Sequence, residues 1–282
     1  MLIDAHHHLW QYNARDYVWM TDAHDALRRD FLIPELEQVT GPSGVDATVA
    51  VQARQTIEET EWLLDLAARH PFIRGVVGWV PLADPAVDAH LERFAANPRL
   101  RAVRHVLHDE PDDNYILRPD FNRGVSLLKR CNLAYDILIF ARHLPQTMAF
   151  VDRHPSQVFI VDHIAKPRIK DRIVSPWREN LRELARRENV FCKLSGMATE
   201  ADWEHWTKQD LEPYFDAVLS AFGPARLLFG SDWPVVNVAG GYTKWISALH
   251  SLIAGLSPAE QAAIRSTTAI AAYKLAAGAE RD

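Results

Sequence analysis

Eight short runs of apolar and β-branched residues recur along the chain, and most end in polar or ionisable residues. In chain order they read MLIDAHHH, VDATVAVQA, FIRGVVGWVPL, LRAVRHVLH, LAYDILIF, VFIVDHIAKP, VFCKLSGM and RLLFGSDWPV. Such short apolar and β-branched runs predict strands. Between most of them lie segments with apolar residues three or four apart, among them IEETEWLLDLAARH, PAVDAHLERFAANP, PDFNRGVSLLKRC, LPQTMAFVDRHP and SPWRENLRELARRE. That spacing predicts helices. Thr56 with Glu59 and Ser257 with Glu260 have the capping-box interval, and Asp84-Pro85 reads as an N-cap followed by proline at the first helical position. Strands alternating with helices predict parallel βαβ units, and eight of them predict an α/β fold, a (β/α)8 TIM barrel forming a single domain over residues 1–282. A doubly wound open sheet is the competitor. Its first strand usually leads into a glycine-rich phosphate loop, and DAHHHLW holds no glycine.

Residues 9–44 form a long first βα connection. Trp10, Tyr12, Tyr17, Trp19 and the FLIPELEQV stretch predict an ordered flap or short helix near the barrel mouth. Catalytic side chains of such barrels sit at the C-terminal ends of the strands. Reading those ends in turn gives His6, His7 and His8, then Gln52 and Arg54, then Trp79. The fourth to eighth give Arg104, His105 and His108; Asp136 and Arg142; His163 and Lys166; Lys193 and Ser195; and Ser231 and Asp232. Side chains alternate along a strand, so His6 and His8 share one face and His7 takes the other. With His6 and His8 directed inward, closure of the barrel sets Asp232 beside them, and His163 approaches from the sixth strand. Three imidazoles and a carboxylate suit one divalent ion such as zinc. The same groups can also serve without metal, as acid, base and hydrogen-bond donors.

Composition changes the picture little. The chain has 282 residues, 48% of them hydrophobic and 24% charged, as in an ordinary globular protein. A net charge of −6 speaks against a nucleic-acid partner. No apolar run approaches the roughly 20 residues of a membrane span, and the start lacks the pattern of a secretory leader. The expectation is a cytoplasmic protein with no membrane partner and two reduced thiols, Cys131 and Cys192. The oligomeric state is left open.

The motifs IDAHHHLW, VDHIAKP and LFGSDWPV together resemble the amidohydrolase superfamily, and within it the amidohydrolase-2 branch that contains L-fuconolactonase- and L-rhamnono-lactonase-type sugar lactonases. The likeness runs over essentially the whole chain in order and spacing. It implies that the superfamily's first-strand HxH pair is His6 and His8, its sixth-strand histidine His163 and its eighth-strand aspartate Asp232. Binuclear members add a lysine or glutamate on the fourth strand and a histidine on the fifth; LRAVRHVLH has no lysine and LAYDILIF no histidine. A two-metal site is therefore not expected, and a single ion would be held by some of His6, His8, His163 and Asp232. The branch also resembles enzymes that turn over without metal, so no cofactor is strictly implied.

The resemblance implies hydrolysis of a sugar-acid lactone, L-fucono-1,4-lactone or a related aldonolactone, as the small-molecule substrate. Asp232 is the expected general base, and His6, His8 and His163 are the groups that polarise the carbonyl, with or without metal. Gln52, Arg104, His105, Arg142 and Lys166 are candidates for gripping substrate hydroxyls or a carboxylate, and Trp79 for a flat wall. Two alternatives stand beside this: a zinc-dependent non-oxidative decarboxylase, and a non-catalytic barrel binding a sugar acid or a metal.

Overall fold

Eight parallel strands pair in chain order: β1 (Ile3–His7), β2 (Ala47–Val51), β3 (Ile73–Gly78), β4 (Leu100–Val106), β5 (Ala134–Leu138), β6 (Phe159–Val161), β7 (Val190–Leu194) and β8 (Leu227–Phe229). The computed structural model describes residues 1–276. A parallel bridge between His7 and Trp233, with His8 N donating to Trp233 O at 2.6 Å and Asp232 N to His6 O at 2.8 Å, joins the last strand to the first. The sheet closes there into the expected (β/α)8 barrel.

The apolar runs read as they do because both faces of each strand are covered. Inward-facing Ile3, Ala5, Val49, Val51, Val77, Ala102, Ala134, Ile160 and Leu228 fill the barrel, while Val76, Val103, Tyr135, Val161 and Cys192 belong to the outer core under the helices. Helices α1 (Ile33–Thr40), α2 (Ile57–Arg69), α3 (Val87–Ala95), α4 (Pro119–Leu128), α5 (Leu144–Arg153), α6 (Trp177–Leu184), α7 (Lys208–Phe222) and α8 (Gly241–Ile253) follow the strands. Thr56 Oγ1 accepts from Glu59 N at the start of α2, and Ser257 does the same for Glu260 at the start of α9 (Pro258–Ala262). Asp84 does not cap a helix beginning at Pro85; it accepts from Ala86 N at 2.7 Å, and α3 starts at Val87. The short α10 (Thr268–Tyr273) and Leu275 plug the end of the barrel where the strands begin. A side chain on Gly75 would approach Leu275 Cδ2 to 3.0 Å.

The first connection is tied down along its length. Trp10 and Phe31 exchange backbone hydrogen bonds of 3.0 and 2.9 Å, a 3-10 turn covers Asp22–Leu27, and α1 completes it. Among the described residues no helix is long and apolar enough to cross a membrane.

Candidate active site

All four residues of the expected shell stand where the backbone departs from regular strand geometry. Along β1, Ile3 and Ala5 face inward and Asp4 outward, so strict alternation would send His6 and His8 out toward the helices. A bulge between Asp4 and His7 supplies one extra residue and reverses the phase. His6 and His8 then face the interior. His7 turns outward, where Nε2 lies 3.0 Å from Thr48 Oγ1 and burial pushes its ring down to about 3. Asp4 anchors the bulge: Oδ1 accepts from Ser231 N at 2.8 Å and His6 N at 3.2 Å, and Oδ2 from Tyr242 Oη at 3.0 Å. Burial outweighs these donors and raises Asp4 to about 6.

Beyond β6, His163, Ile164, Ala165 and Lys166 all adopt left-handed backbone conformations, with φ between 46° and 61°. Each costs a non-glycine residue about 1–2 kcal/mol, and the turn lets Asp162 and His163, neighbours in sequence, both face the interior. Asp232 has φ 58° beyond β8. Two glycines leave room for the imidazoles. A Cβ on Gly230 would lie 2.7 Å from His6 Cβ, and one on Gly196 would lie 2.6 Å from His163 Cβ.

The side chains converge. His6 Nε2 and His8 Nε2 are 3.2 Å apart, and Asp232 Oδ1 lies 3.4, 3.7 and 3.8 Å from Nε2 of His8, His6 and His163. His8 Nδ1 donates to Val51 O at 2.8 Å, which leaves a lone pair on Nε2 of the neutral ring. His163 Nδ1 is 2.9 Å from Ser195 Oγ. Zinc with bonds of about 2.0–2.1 Å in a tetrahedral shell needs donor atoms roughly 3.3 Å apart. The trio His6, His8 and Asp232 meets this, and its outer ring nitrogens are engaged by partners as in known zinc shells. His6 also belongs to a second possible trio with Asp162 and His163.

Beneath the rings lies a charged cluster of which Asp136, Lys193 and Arg104 stand among the strand-end residues and Asp162 does not. Lys193 Nζ reaches Asp136 Oδ2 at 2.5 Å, Asp162 Oδ1 at 2.9 Å and His6 Nδ1 at 3.1 Å. Arg104 Nη1 donates to Asp162 Oδ2 at 3.0 Å, and Tyr273 Oη donates to Asp136 Oδ2 at 2.7 Å. Burial lowers His6 well below the imidazole range, with Lys193 adding to the effect, and lowers His163 to about 3, so both rings are neutral at pH 7. Burial would raise Asp232, but His163, His8 and His6 outweigh it and hold the carboxyl below its ordinary range. Burial likewise opposes ionisation of Asp162, yet Lys193, His6 and Arg104 keep it well below.

A cavity of about 470 Å³ opens above Asp232, His8 and His163. Arg104 and Lys166 are on its wall. The structure does not bring Gln52, Trp79, His105 or Arg142 to it. Gln52 is fully buried, and Nε2 donates to Arg104 O. His105 follows Arg104 on β4 and so faces outward, with Trp79 Nε1 donating to its Nδ1 at 3.3 Å and its Nε2 2.6 Å from Glu110 Oε1. Arg142 is half-exposed and donates to Asp113. The first connection contributes Trp10, Asp16, Val18 and Trp19 to the mouth, where Arg54 Nη1 meets Asp16 Oδ2 at 2.6 Å. Asp162 is not expected at the site from sequence, because alternation leaves only one of two consecutive residues facing inward. Lys193 and Asp136 were visible as polar residues inside apolar strands.

The Amidohydrolase family profile matches residues 3–275. An L-fucono-1,5-lactonase of Burkholderia multivorans is 39% identical over 97% of this chain and 96% of its own length. Another L-fucono-1,5-lactonase, from Burkholderia ambifaria, is 41% identical over 87% and 85%. A crystal structure of an amidohydrolase from Burkholderia multivorans with bound zinc superposes with a TM-score of 0.94, at 40% identity, covering 98% of this chain and 99% of that one.

Proposed function

The chain belongs to the amidohydrolase family, and from that premise we propose that it opens the lactone ring of an L-fuconate-type sugar acid by adding water to the ring carbonyl. At the coarser level it is a fuconolactonase-like, lactone-hydrolysing enzyme. The carrying observation is the convergence of His6, His8 and His163 on Asp232 at the floor of the cavity.

Asp232, ionised at neutral pH, takes a proton from the attacking water as general base. The carbonyl oxygen gains negative charge as the tetrahedral centre forms. Arg104, its Nη1 3.5 Å from His6 Nε2, is a donor for that charge, and so is the His6 ring when Nε2 carries its hydrogen. As the ester C–O bond breaks, the proton held by Asp232 passes to the departing ring oxygen, and the product is the open-chain hydroxy acid. A divalent ion held by His6, His8 and Asp232 would supply Lewis acidity toward the carbonyl. The relative crystallised with bound zinc supports a metal in this site. Lys166 and Arg54 stand at the wall to receive substrate hydroxyls, and Trp10, Val18 and Trp19 offer an apolar surface for the methyl group of a 6-deoxy sugar.

The motif resemblance implies L-fucono-1,4-lactone, whereas the two Burkholderia relatives are named for the 1,5-lactone. A pH-indicator assay of acid release from both rings and from other aldonolactones, with and without chelator, tests the reading. Release from an L-fuconolactone at least 100-fold above the buffer rate is expected. No acid from any lactone, in zinc-loaded and chelated protein alike, would overturn it.

A further inference from the structure

Of the rings in the cluster, His6 is the one whose nitrogens meet opposite demands. Nδ1 lies 3.1 Å from Lys193 Nζ and 3.3 Å from Asp162 Oδ1. An ammonium only donates and a carboxylate only accepts. Lys193 therefore favours a bare Nδ1 with the hydrogen on Nε2, and Asp162 favours an Nδ1–H with the lone pair on Nε2. On the cavity side, Nε2 faces the lone pair of His8 Nε2 at 3.2 Å, Asp232 Oδ1 at 3.7 Å and, as a donor, Arg104 Nη1 at 3.5 Å, whose shorter bond goes to Asp162 Oδ2 at 3.0 Å. Two acceptors facing that nitrogen call for a hydrogen between them when no cation is there. A cation calls for a lone pair.

We propose that Lys193 and Asp162 make His6 a two-state group, presenting an Nε2–H toward Asp232 and substrate in one tautomer and an Nε2 lone pair to a divalent ion in the other. Lys193 is the positioning residue for the first state and Asp162 for the second. The inference rests on the reading that His6 belongs to the active site. The ring stays neutral throughout, its one proton carried at Nε2 or at Nδ1, and neither partner has to travel because both are already within reach of Nδ1. Each is itself anchored: Lys193 by Asp136, which also accepts from Tyr273, and Asp162 by Arg104. Both side chains are fully buried. An apolar filling would pack the barrel at no desolvation cost, so a buried Lys–Asp pair ending on a ring nitrogen is better explained by control of that ring than by stability.

Asp162→Asn, Lys193→Met and the charge-compensated pair Asp136→Asn/Lys193→Met separate this from a structural role. Two readouts serve: zinc affinity of chelator-stripped protein by competition with a chromophoric chelator, and the ¹⁵N shifts of the His6 ring. Asp162→Asn should weaken zinc binding at least tenfold, the range of lost outer-shell partners. Both Lys193 variants should bind zinc at least threefold more tightly and move metal-free His6 from the Nε2–H to the Nδ1–H form. Weakened zinc binding in every variant, or an unchanged His6 tautomer, would overturn the proposal. So would metal-free unaltered protein already in the Nδ1–H form, which needs no variant to fold. A His6→Ala protein with undiminished lactone turnover would instead sink the reading of the site, leaving both readouts to judge the tautomer.

Discussion

The two ends of the same eight strands obey different rules. Where the strands begin, the interior is built from apolar residues such as Ala5, Val49, Ala102, Ala134 and Leu228. Where they end, His6, His8, His163 and Asp232 reach the interior through a bulge and left-handed residues, over a buried Lys–Asp–Arg cluster. One end holds the barrel together at low cost. The other spends conformational strain to gather groups that regular strands would keep apart.

That contrast breaks most sharply at Asp232. Asp232→Asn keeps the shape of the side chain, and kcat for lactone hydrolysis should fall by about 10²–10⁴ with the melting temperature little changed. Near-normal turnover would remove the general base from the scheme. The opposite pole is Leu228→Ala at the apolar end: about 2–5 kcal/mol of unfolding free energy lost in denaturant titration, with kcat per folded molecule unchanged. Comparable losses of activity in both variants would erase the division of labour.

Asp4, the staple of the bulge, gives a pH signature. Its folded value of about 6 lies above the ordinary 3.8, so the folded state binds more protons between these values and Asp4's contribution to stability falls as pH rises through that window. The loss amounts to roughly 2–3 kcal/mol by pH 7. The stability advantage of the unaltered protein over Asp4→Asn should therefore shrink by that amount between pH 4 and pH 7 in urea titrations; a constant difference would contradict the assignment. The smallest effect belongs to Arg142→Ala. A half-exposed arginine paired with Asp113 should change kcat/KM by less than about twofold and stability by less than about 1 kcal/mol. A tenfold loss of kcat/KM would place Arg142 at the substrate after all.

The barrel was legible because two-sided burial writes itself as apolar runs, and helical spacing fills the gaps between them. His6, His8, His163 and Asp232 were legible as chemistry but not as geometry. Period-two alternation started from Ile3 puts His6 on the wrong face, and nothing in IDAHHH announces the bulge. In VDHIAK no glycine marks four successive left-handed residues, one of them the β-branched Ile164, so Asp162 stayed hidden behind His163. On β4, by contrast, alternation does hold. Having taken Arg104 inward, it already assigns His105 to the helix side, and its grip on Trp79 and Glu110 follows.

The seam between β1 and β8 carries a consequence for how the protein is made. The hydrogen bonds that shut the barrel, from Ser231 to Asp4 and from Asp232 to His6, join residues separated by more than 220 positions and involve the site itself. On the ribosome, no nascent chain that stops short of Asp232 can assemble the floor of the cavity, however many strands have already paired. Under the proposed mechanism, catalytic competence therefore waits for the docking of the last strand against the first. Turnover of a chromogenic lactone would report that docking directly when the chain is split into two fragments and the halves are left to find each other.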